Sequence, residues 1–408
     1  MKEYDVIIAG AGPAGLSVAG ELSKDRKIRI LLIEKRKKLR SNKPWTCWAS
    51  ELEQFDLKSI IANKSKKIVY RTYLGTTAEK NSDYCVVDQN KFFKEMFLRI
   101  NKENFDFLAG CKFISYNYSS EGGIIIRTSK GRFKSKILVD ATGLSSPVLK
   151  RNNIKNSKDY YYIYSKIMET DYINPSKMVL LDVLFRDKYK VWFWLIPFSS
   201  KKFIIASYYF TKDHIPLKHA SNNLKRYLKL HKIKAKTLET RVGVIHPCDF
   251  QKTYFGNILL VGESANQAVP ANAYLFVKSL MFGKIAAKTA IEALYENNFS
   301  ESFLKRYENK WKKKVGLSYT FEQMLGKIIY SFNDEDVDYS FMILDKVPDE
   351  TVKRFETGDL TRKDILLISY YMIRYFKLGF LLGKFNQHKS FYLKRFLKLM
   401  YLFFNPSI

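Results

Sequence analysis

Three glycines near the start of the chain have the spacing that lets a backbone approach a phosphate group. Gly10, Gly12 and Gly15 form a GxGxxG pattern, with Pro13 and Ala14 before the last glycine. The first glycine permits a tight turn, the second allows close approach of a pyrophosphate, and the third lets a helix pack closely on a strand. The pyrophosphate then lies at a helix N-terminus, which favours negative charge. The loop therefore predicts dinucleotide binding.

Glu34 supplies the acidic partner of this loop. It lies 19 positions after Gly15, where a carboxylate accepts hydrogen bonds from ribose hydroxyls and repels an extra 2′-phosphate. A glycine-rich structural turn is the alternative interpretation, but a strand, a helix and an acid all in place favour the dinucleotide site. The motif alone does not choose between NAD and FAD.

The elements that must position these residues follow from the hydrophobic pattern. Residues Tyr4–Ala9 predict a buried strand, a helix follows the glycines, and Ile28–Ile33 predict a second strand, so the chain begins with a βαβ unit. Further strands are predicted at Ile124–Arg127, Ile137–Val139, Met178–Leu181, Trp192–Ile196, Phe203–Tyr209 and Asn257–Val261. Helices are predicted from about Tyr274 to Leu294 and from Ser300 onward.

Two later segments favour FAD as the dinucleotide. Val139-Asp-Ala-Thr-Gly143 resembles the ATG motif of FAD enzymes. Leu259-Leu-Val-Gly-Glu-Ser264, followed by Pro270 and a long helix, resembles their GD segment, in which an acidic residue meets the flavin ribityl chain. Over about the first 310 residues the chain is similar to the FAD-dependent superfamily that holds aromatic hydroxylases, geranylgeranyl reductases and lycopene cyclases.

This resemblance implies a fold class, a domain order and a set of cofactor contacts. The fold class is α/β with an α+β insert: a Rossmann-type FAD-binding domain, an inserted antiparallel-sheet substrate domain and a helical C-terminal tail. The predicted ranges are 1–65, 101–150 and 251–300 for the FAD-binding parts, 66–100 for a mixed sheet and helix segment, 151–250 for the substrate domain and 301–408 for the helical region. The implied FAD contacts are Gly10, Gly12, Pro13, Ala14, Gly15, Glu34, Gln89, Gly143, Gly262, Glu263, Ser264 and Pro270.

Within the superfamily the chain is most similar to lycopene cyclases and geranylgeranyl reductases. Trp45-Thr-Cys-Trp48 resembles a cyclase segment, and Pro44–Cys47 is similar to the reductase PxxC segment, whose cysteine lies near the flavin. Lys177–Asp182 resembles the cyclase middle region, Trp192–Pro197 resembles the reductase YxWxFP motif, and Pro270–Tyr274 resembles the cyclase P-S-T-G-Y segment.

Five positions depart from the family pattern. Ala206 and Ser207 stand where cyclases carry adjacent glutamates, so the acid that assists their carbocation chemistry is missing there. Gln89 stands where many relatives place an arginine near FAD, and Glu263 replaces an aspartate. Ala273 replaces a glycine beside the flavin, where its methyl group is expected to crowd the backbone.

Substrates in this branch of the superfamily are long apolar polyenes, which implies an aromatic and aliphatic pocket. The candidates to contact the substrate are Trp45, Trp48, Trp192, Phe193, Trp194 and Tyr274. Indole and phenol rings also suit a transient carbocation. Core packing is the alternative for each of them, because aromatic side chains dominate protein cores.

Two reactions compete, and both need a protonated acid in a dry pocket. A reductase uses hydride from reduced FAD and a proton from an acid or water, whereas a cyclase adds a proton to a terminal alkene and does not consume reduced FAD. Burial keeps a carboxyl protonated by raising its pKa. Glu263 is the first candidate acid and Asp182 the second, and Cys47 is a candidate to contact or tune the flavin. Each of the three has a structural role as its alternative.

Charge and the C-terminal tail indicate a membrane surface rather than nucleic acid. Seventy Lys and Arg against 40 Asp and Glu leave a net charge of +30, yet no nucleic-acid-binding motif is present and compositional bias is an alternative cause. The segment 365–408 has no acidic residue, and its basic residues alternate with aromatic and aliphatic stretches. Such helices suit a bilayer interface, with a helical cap on the enzyme as the alternative. No uninterrupted apolar run reaches the roughly 18 residues of a membrane span, and no leader pattern is present, so a cytoplasmic protein at the membrane periphery is expected.

The expected function is FAD-dependent reduction of double bonds in an isoprenoid or polyene lipid, with NADPH or ferredoxin as a possible electron donor. Lycopene cyclase-like ring closure, FAD-dependent monooxygenation and non-catalytic binding of flavin and lipid are the alternatives. Metal chemistry is not expected, because His214, His219, His231, His246 and His388 show no metal-ligand spacing. The four cysteines include no CxxC pair.

Overall fold

The computed structural model describes residues 1–39, 44–154, 157–182, 189–376 and 389–404. The strands are β1 (Lys2–Ala9), β2 (Ile30–Glu34), β3 (Thr46–Trp48), β4 (Ile61–Lys64), β5 (Lys67–Arg71), β6 (Thr77–Asn81), β7 (Tyr84–Val87), β8 (Phe105–Ala109), β9 (Phe113–Tyr118), β10 (Ile124–Thr128), β11 (Gly131–Asp140), β12 (Tyr160–Glu169), β13 (Lys177–Asp182), β14 (Trp192–Pro197), β15 (Lys202–Thr211), β16 (Lys236–Ile245), β17 (Tyr254–Phe255) and β18 (Ile258–Leu260). The helices are α1 (Pro13–Leu22), α2 (Ala49–Glu53), α3 (Gln89–Leu98), α4 (Pro147–Arg151), α5 (Leu217–Leu230), α6 (Phe276–Tyr295), α7 (Glu301–Tyr330), α8 (Asp334–Lys346), α9 (Asp349–Thr357), α10 (Arg362–Phe376) and α11 (Lys389–Phe404).

The first sheet contains the βαβ unit predicted from the glycine loop. Its parallel strands lie in the order β18-β11-β1-β2-β8, with β17 and the β9–β10 hairpin added antiparallel. Val6, Ile7 and Ile8 of β1 are all fully buried, as expected for a parallel strand covered on both faces. β2 begins at Ile30 rather than at the predicted Ile28, because the Ile28 N–H donates to Asp25 O in the preceding turn.

The second sheet has the order β16-β12-β15-β14-β13-β5-β6. Its neighbours pair antiparallel except β13 and β5, which are parallel. The predicted α/β class with a largely antiparallel insert is therefore confirmed. β5 and β6 join this sheet although they precede the predicted 151–250 substrate domain, and local hydrophobic alternation gives no signal for a pairing partner so distant in sequence.

A small sheet, in the order β3-β7-β4, and the C-terminal helices complete the molecule. α7, α8 and α9 pack against the second sheet through one apolar cluster, which includes Tyr70, Phe321, Phe341 and Val352. The helical pattern predicted from Ser300 onward is confirmed over the described part of the chain. The segments 377–388 and 405–408 of the predicted membrane-facing tail lie outside the described residues, and the predicted domain boundaries stay a prediction.

Candidate active site

A cavity of about 660 Å³ lies between the loops of the first sheet, the second sheet and the C-terminal helices. The part that we call the cofactor half includes Gly10–Ala14, Ile33–Arg36, Ala141–Ser145 and Glu263. The part that we call the apolar half includes Tyr70, Tyr84, Trp192, Trp194, Tyr208, Val337, Phe341, Leu344, Val352, Phe355 and Glu356. The loop Ala271–Phe276 also lies on the wall, and its residues pack against both sheets. One continuous space therefore joins a polar site to an apolar one.

The glycine loop shapes the cofactor half by backbone approach. Gly10 has φ +104°, and a Cβ atom there would lie 2.3 Å from Ala141 O. A Cβ atom on Gly15 would lie 1.9 Å from Gly10 O, whereas one on Gly12 would have no neighbouring atom within 4 Å. Gly12 is also the N-cap of α1 and brings no side-chain cap. The first-turn N–H groups of α1 therefore face an open space that suits a phosphate.

Glu34 closes this half beside the glycine loop. Its side chain is buried and accepts hydrogen bonds from Ala11 N at 3.0 Å and from Arg36 N at 2.9 Å. These two bonds fix the carboxylate at the end of β2, on the cavity wall. The geometry agrees with the predicted ribose contact.

The two segments that resemble FAD motifs meet each other across the wall. Gly143 N donates to Ser264 Oγ at 2.9 Å, and a Cβ atom on Gly143 would lie 3.2 Å from Glu263 Oε2. Asp140 is fully buried behind them and accepts bonds from Thr142 Oγ1 and Ser146 Oγ, each at 2.6 Å. Gly143 and Glu263 therefore face the cavity while Asp140 and Ser264 hold their segments together.

The loop after Pro270 carries backbone strain at the position where the family has glycine. Ala273 has φ +63°, in the left-handed region that residues with a Cβ atom disfavour. Its N–H donates to Val269 O at 2.9 Å, so the loop is held in this shape. The sequence expectation that the Ala273 methyl group crowds the backbone agrees with this conformation.

The cofactor half fits a dinucleotide such as FAD. The glycine loop and the uncapped N–H groups of α1 leave space and donors for a pyrophosphate. The fixed Glu34 carboxylate supplies an acceptor for a ribose. Of the predicted contacts, those that line the cavity are Gly10, Gly12, Pro13, Ala14, Glu34, Gly143 and Glu263. Those buried directly behind that wall are Gly15, Gly262, Ser264 and Pro270. Gln89 begins α3 outside the cavity wall, so its predicted FAD contact stays a prediction.

The aromatic residues of the apolar half divide by the two-residue period of β14. Trp192 and Trp194 lie on the cavity wall beside Tyr208. Phe193 lies on the other face, with its ring 4.7 Å from that of Tyr227 on α5, so the expectation that it lines the pocket is corrected. Tyr274 also lines the cavity, in agreement with its predicted substrate contact.

Trp45 and Trp48 have different places although they are three residues apart. Trp45 lies on the cavity wall and stacks on Phe276, with a centroid distance of 5.1 Å. Trp48 is buried behind the wall, where its ring packs edge-on to Tyr84 at 5.5 Å and Lys353 Nζ lies 5.5 Å from its centre. The structure gives Trp48 a supporting position rather than the predicted contact with substrate.

Two carboxyl groups near the cavity, one buried and one partly buried, were not assigned a role from the sequence. Glu356, on α9, lines the apolar half, and the Tyr70 hydroxyl donates a hydrogen bond to Glu356 Oε1. Glu51, on α2, accepts a bond from the Tyr274 hydroxyl. Burial raises the pKa of both carboxyl groups to about 7. Both groups are therefore able to hold a proton near neutral pH.

Glu51 belongs to a charged network at the start of α6. Lys278 Nζ, which is almost fully buried, pairs with Asp359 Oδ2 at 2.6 Å. The positive charge of Lys278 acts against burial and lowers the pKa of Glu51. Asp359 is partly exposed, so this ion pair extends from the buried side chain of Lys278 towards solvent.

The other two predicted catalytic residues lie away from the cavity wall. Cys47 is buried with its Sγ atom 3.5 Å from Cys85 Sγ, and burial raises the pKa of its thiol. Asp182 is fully buried between Arg71 and Tyr227, whose hydroxyl donates to Asp182 Oδ2 at 2.8 Å. Tyr227 lies on α5, so Asp182 faces the side of the second sheet opposite to the cavity. Neither placement supports the predicted catalytic role, and the predicted role of Cys47 stays a prediction.

The sequence offered one weak signal for Glu356. Val352 and Glu356 are four residues apart on α9, so they share one helix face. An acidic residue in line with a buried valine is unusual on an amphipathic helix. Tyr70 gives no comparable signal, because only the folded chain brings β5 to α9.

Comparisons with known proteins agree with this architecture. A model of the family described as lycopene cyclase protein matches residues 5–378. A digeranylgeranylglycerophospholipid reductase of Methanococcus aeolicus is 26% identical over 371 residues, covering 82% of this chain and 89% of its own. The crystal structure of a geranylgeranyl bacteriochlorophyll reductase-like protein from Thermoplasma acidophilum has a TM-score of 0.79 at 17% identity, covering 96% of this chain and all of the other. Aklavinone-11 hydroxylase, solved with FAD and aklavinone, has a TM-score of 0.62 at 16% identity, covering 79% of this chain and 68% of the other.

Proposed function

The chain belongs to the lycopene cyclase protein family, and we propose that it is an FAD-dependent oxidoreductase that saturates double bonds of an isoprenoid lipid. The observation that carries this proposal is the single cavity with a glycine cradle in one half and an aromatic and aliphatic wall in the other. Such a wall suits a hydrocarbon chain and offers few partners to a polar substrate. The reductase named for the Methanococcus aeolicus relative is in accord with it.

In this proposal the cofactor half holds FAD, which when bound supplies hydride equivalents to a double bond. The uncapped start of α1 binds the pyrophosphate, and Glu34 accepts hydrogen bonds from the adenosine ribose. Glu263 lies beside Gly143 and contacts the flavin end of the site. NADPH and ferredoxin are the candidate electron donors.

The apolar half orients the substrate and excludes water. Trp192, Trp194 and Tyr208 form an aromatic surface on the second sheet, and Phe341 and Leu344 of α8 line the same cavity. A polyene held between them leaves little room for water, which keeps buried carboxyl groups protonated.

Cyclisation is the second candidate, because the matching family model describes lycopene cyclases. Ala206 and Ser207 weigh against it. Both are buried in β15, and Ser207 Oγ bonds to backbone carbonyls, so this family position offers no proton. The missing family acid and the reductase named for the Methanococcus aeolicus relative together favour reduction.

Product mass tests the choice. The purified protein with chemically reduced FAD is given a geranylgeranylated lipid and lycopene in separate reactions. A gain of two hydrogens per double bond is expected with the lipid. Unchanged mass with altered retention and absorbance would establish cyclisation, and a gain of one oxygen would establish a monooxygenase. Bound flavin with no product from either compound would indicate a non-catalytic binding protein.

We also propose that the C-terminal helices contact a membrane surface. On α10 the exposed side chains Leu366, Tyr370 and Ile373 lie at helical spacing. On α11 the exposed side chains Leu397, Tyr401 and Phe404 repeat that spacing. Two apolar stripes in a segment without acidic residues after Asp364 suit an anionic bilayer interface. Among the described residues, no helix combines the length and apolarity needed to cross a bilayer.

Vesicle sedimentation tests this contact. We expect binding to vesicles that contain an anionic phospholipid, weaker binding at high salt, and a loss of binding in the Leu397→Ser and Phe404→Ser double variant. Leu217→Ser changes an equally exposed leucine on α5 and serves as the control. Equal binding by both variants would contradict the assignment of the tail.

A further inference from the structure

We infer that Glu356 is the residue that gives a proton to the substrate double bond, with Tyr70 as its positioning residue. This inference rests on the proposed function, and it applies to both reactions because reduction and cyclisation each need a proton. Among the described residues, the carboxyl groups that line the cavity belong to Glu34, Glu263 and Glu356. Glu34 and Glu263 lie in the cofactor half. Among the described residues, Glu356 therefore carries the one carboxyl group that lines the apolar half.

The position of Glu356 is fixed from both its backbone and its side chain. Asn272 Nδ2 donates to Glu356 O at 2.8 Å, which ties the end of α9 to the loop on the cofactor side. The Tyr70 hydroxyl donates to Glu356 Oε1 from β5. Glu356 is thereby held on the wall of the apolar half, although the residue is only 6% exposed.

The surroundings of the Glu356 carboxyl favour its neutral form. Glu356 Oε2 is buried and accepts no hydrogen bond of ordinary geometry from the described residues. Tyr70, Tyr84 and Trp48 surround the group from β5, β7 and β3, and none of them carries a positive charge. An ionised carboxylate without a cation is costly to bury, so the neutral acid is favoured. Burial accordingly raises the pKa of Glu356 to about 7, while the Tyr70 hydroxyl and the Trp48 indole act in the opposite direction.

In reduction, the double bond gains a proton from Glu356 and a hydride from a donor of the proposed type. The O–H bond of Glu356 breaks and a new C–H bond forms at one alkene carbon. Reduced FAD, when bound in the cofactor half, would supply the hydride to the other carbon, and with it both electrons of the reduction. The Glu356 carboxylate then takes a proton from water. In cyclisation the same C–H bond forms first and another carbon later releases a proton, so no net electron transfer occurs.

Glu356→Gln tests the transfer without altering the shape of the cavity. The amide oxygen still accepts from Tyr70, so flavin binding and substrate affinity should stay within about threefold of those of the wild type. The single-turnover rate of product formation should fall at least about 100-fold, since general acids typically contribute factors of this size. Glu322→Gln is the matched control, because Glu322 is another fully buried carboxyl with a raised pKa but lies off the cavity wall, bonded to Ser318.

An infrared measurement reports the proton independently of turnover. The difference spectrum between wild type and Glu356→Gln should contain a protonated carboxyl band at pH 6, and that band should disappear by pH 8. The product-formation rate of the wild type should fall over the same pH interval. Tyr70→Phe should move this fall to higher pH, because the Tyr70 hydrogen bond lowers the pKa of Glu356. A purely structural role for Tyr70 would change the rate without moving its pH dependence.

The outcomes separate this inference from the proposed function. An active wild type with an equally active Glu356→Gln variant would overturn the assignment of Glu356 and leave the proposed function intact. A carboxyl band that is absent at pH 6 would overturn it as well. A wild type that converts neither lipid nor lycopene would overturn the proposed function, and the proton transfer with it.

Discussion

The two halves of the cavity are built in opposite ways. The cofactor half is formed by three short segments and Glu263, and its loop depends on Gly10 and Gly15 because a Cβ atom on either would strike backbone. The apolar half is formed by side chains from the second sheet, the small sheet, α8 and α9, which are far apart in sequence. A cofactor shared by many enzymes is thus bound through local motifs, while substrate chemistry depends on long-range packing.

The largest expected effect is in the cofactor half. Gly15→Ala should destabilise the fold by about 3–5 kcal/mol and abolish flavin binding, because its Cβ atom would lie 1.9 Å from Gly10 O. Gly12→Ala should change the free energy of unfolding by about 1 kcal/mol or less, yet weaken flavin binding, since its methyl group enters only the space left for pyrophosphate. Urea unfolding and flavin titration measure the two effects.

Gly20→Ala is the control for both variants. It also lies in α1, and its Cβ atom would meet no atom within 4 Å. It should leave flavin affinity unchanged and stabilise the helix by up to about 1 kcal/mol. Tight flavin binding by Gly12→Ala would contradict the placement of the pyrophosphate.

The next effect concerns the apolar half and depends on pH. The pKa of Glu356 is raised by burial from 4.5 to about 7 in the folded chain, so that between these values the folded state binds more protons than the unfolded state. The contribution of Glu356 to the free energy of unfolding therefore decreases as pH rises from about 4.5 to 7, by about 3 kcal/mol in total. Glu356→Gln removes this pH-dependent contribution. The free energy of unfolding of the variant, relative to that of the wild type, should therefore increase between pH 5 and pH 8.

Urea unfolding at the two pH values measures this change. Glu350→Gln alters an exposed residue on the same helix and should show no such pH dependence relative to the wild type. A stability difference between Glu356→Gln and wild type that is the same at pH 5 and pH 8 would contradict the raised pKa of Glu356.

The same contrast explains what the sequence did and did not predict. The βαβ unit and the FAD-like motifs follow from local spacing and from strand or helix period. Glu356 and Tyr70 are 286 positions apart, and no local pattern indicates that they meet. Asp182 and Phe193 were misplaced for a related reason: their strands were predicted, but which face of the sheet meets the cavity depends on where α5 and α8 pack.

A smaller effect tests whether the apolar half alone selects the substrate. Leu344 of α8 lines the cavity, whereas Met342 on the same helix is exposed. Leu344→Trp should weaken lipid binding about tenfold, or about 1.4 kcal/mol, by filling the cavity, with flavin affinity unchanged. Met342→Trp should change neither affinity. Fluorescence titration with the lipid distinguishes the two, and equal lipid affinity in both variants would place the substrate elsewhere.

The smallest expected effect lies in the loop that joins the halves. Ala273 adopts φ +63°, which costs an alanine about 1–2 kcal/mol, whereas glycine loses about 0.5–1 kcal/mol more backbone entropy on folding. Ala273→Gly should therefore stabilise the protein by about 0.5 kcal/mol. Ala271→Gly, in the same loop but without a positive φ, should destabilise it by a similar amount, because only the entropy cost remains. If the urea midpoints of the two variants shift in opposite directions, the strain lies in the left-handed conformation of Ala273 rather than in the loop as a whole. Shifts in the same direction would contradict this assignment.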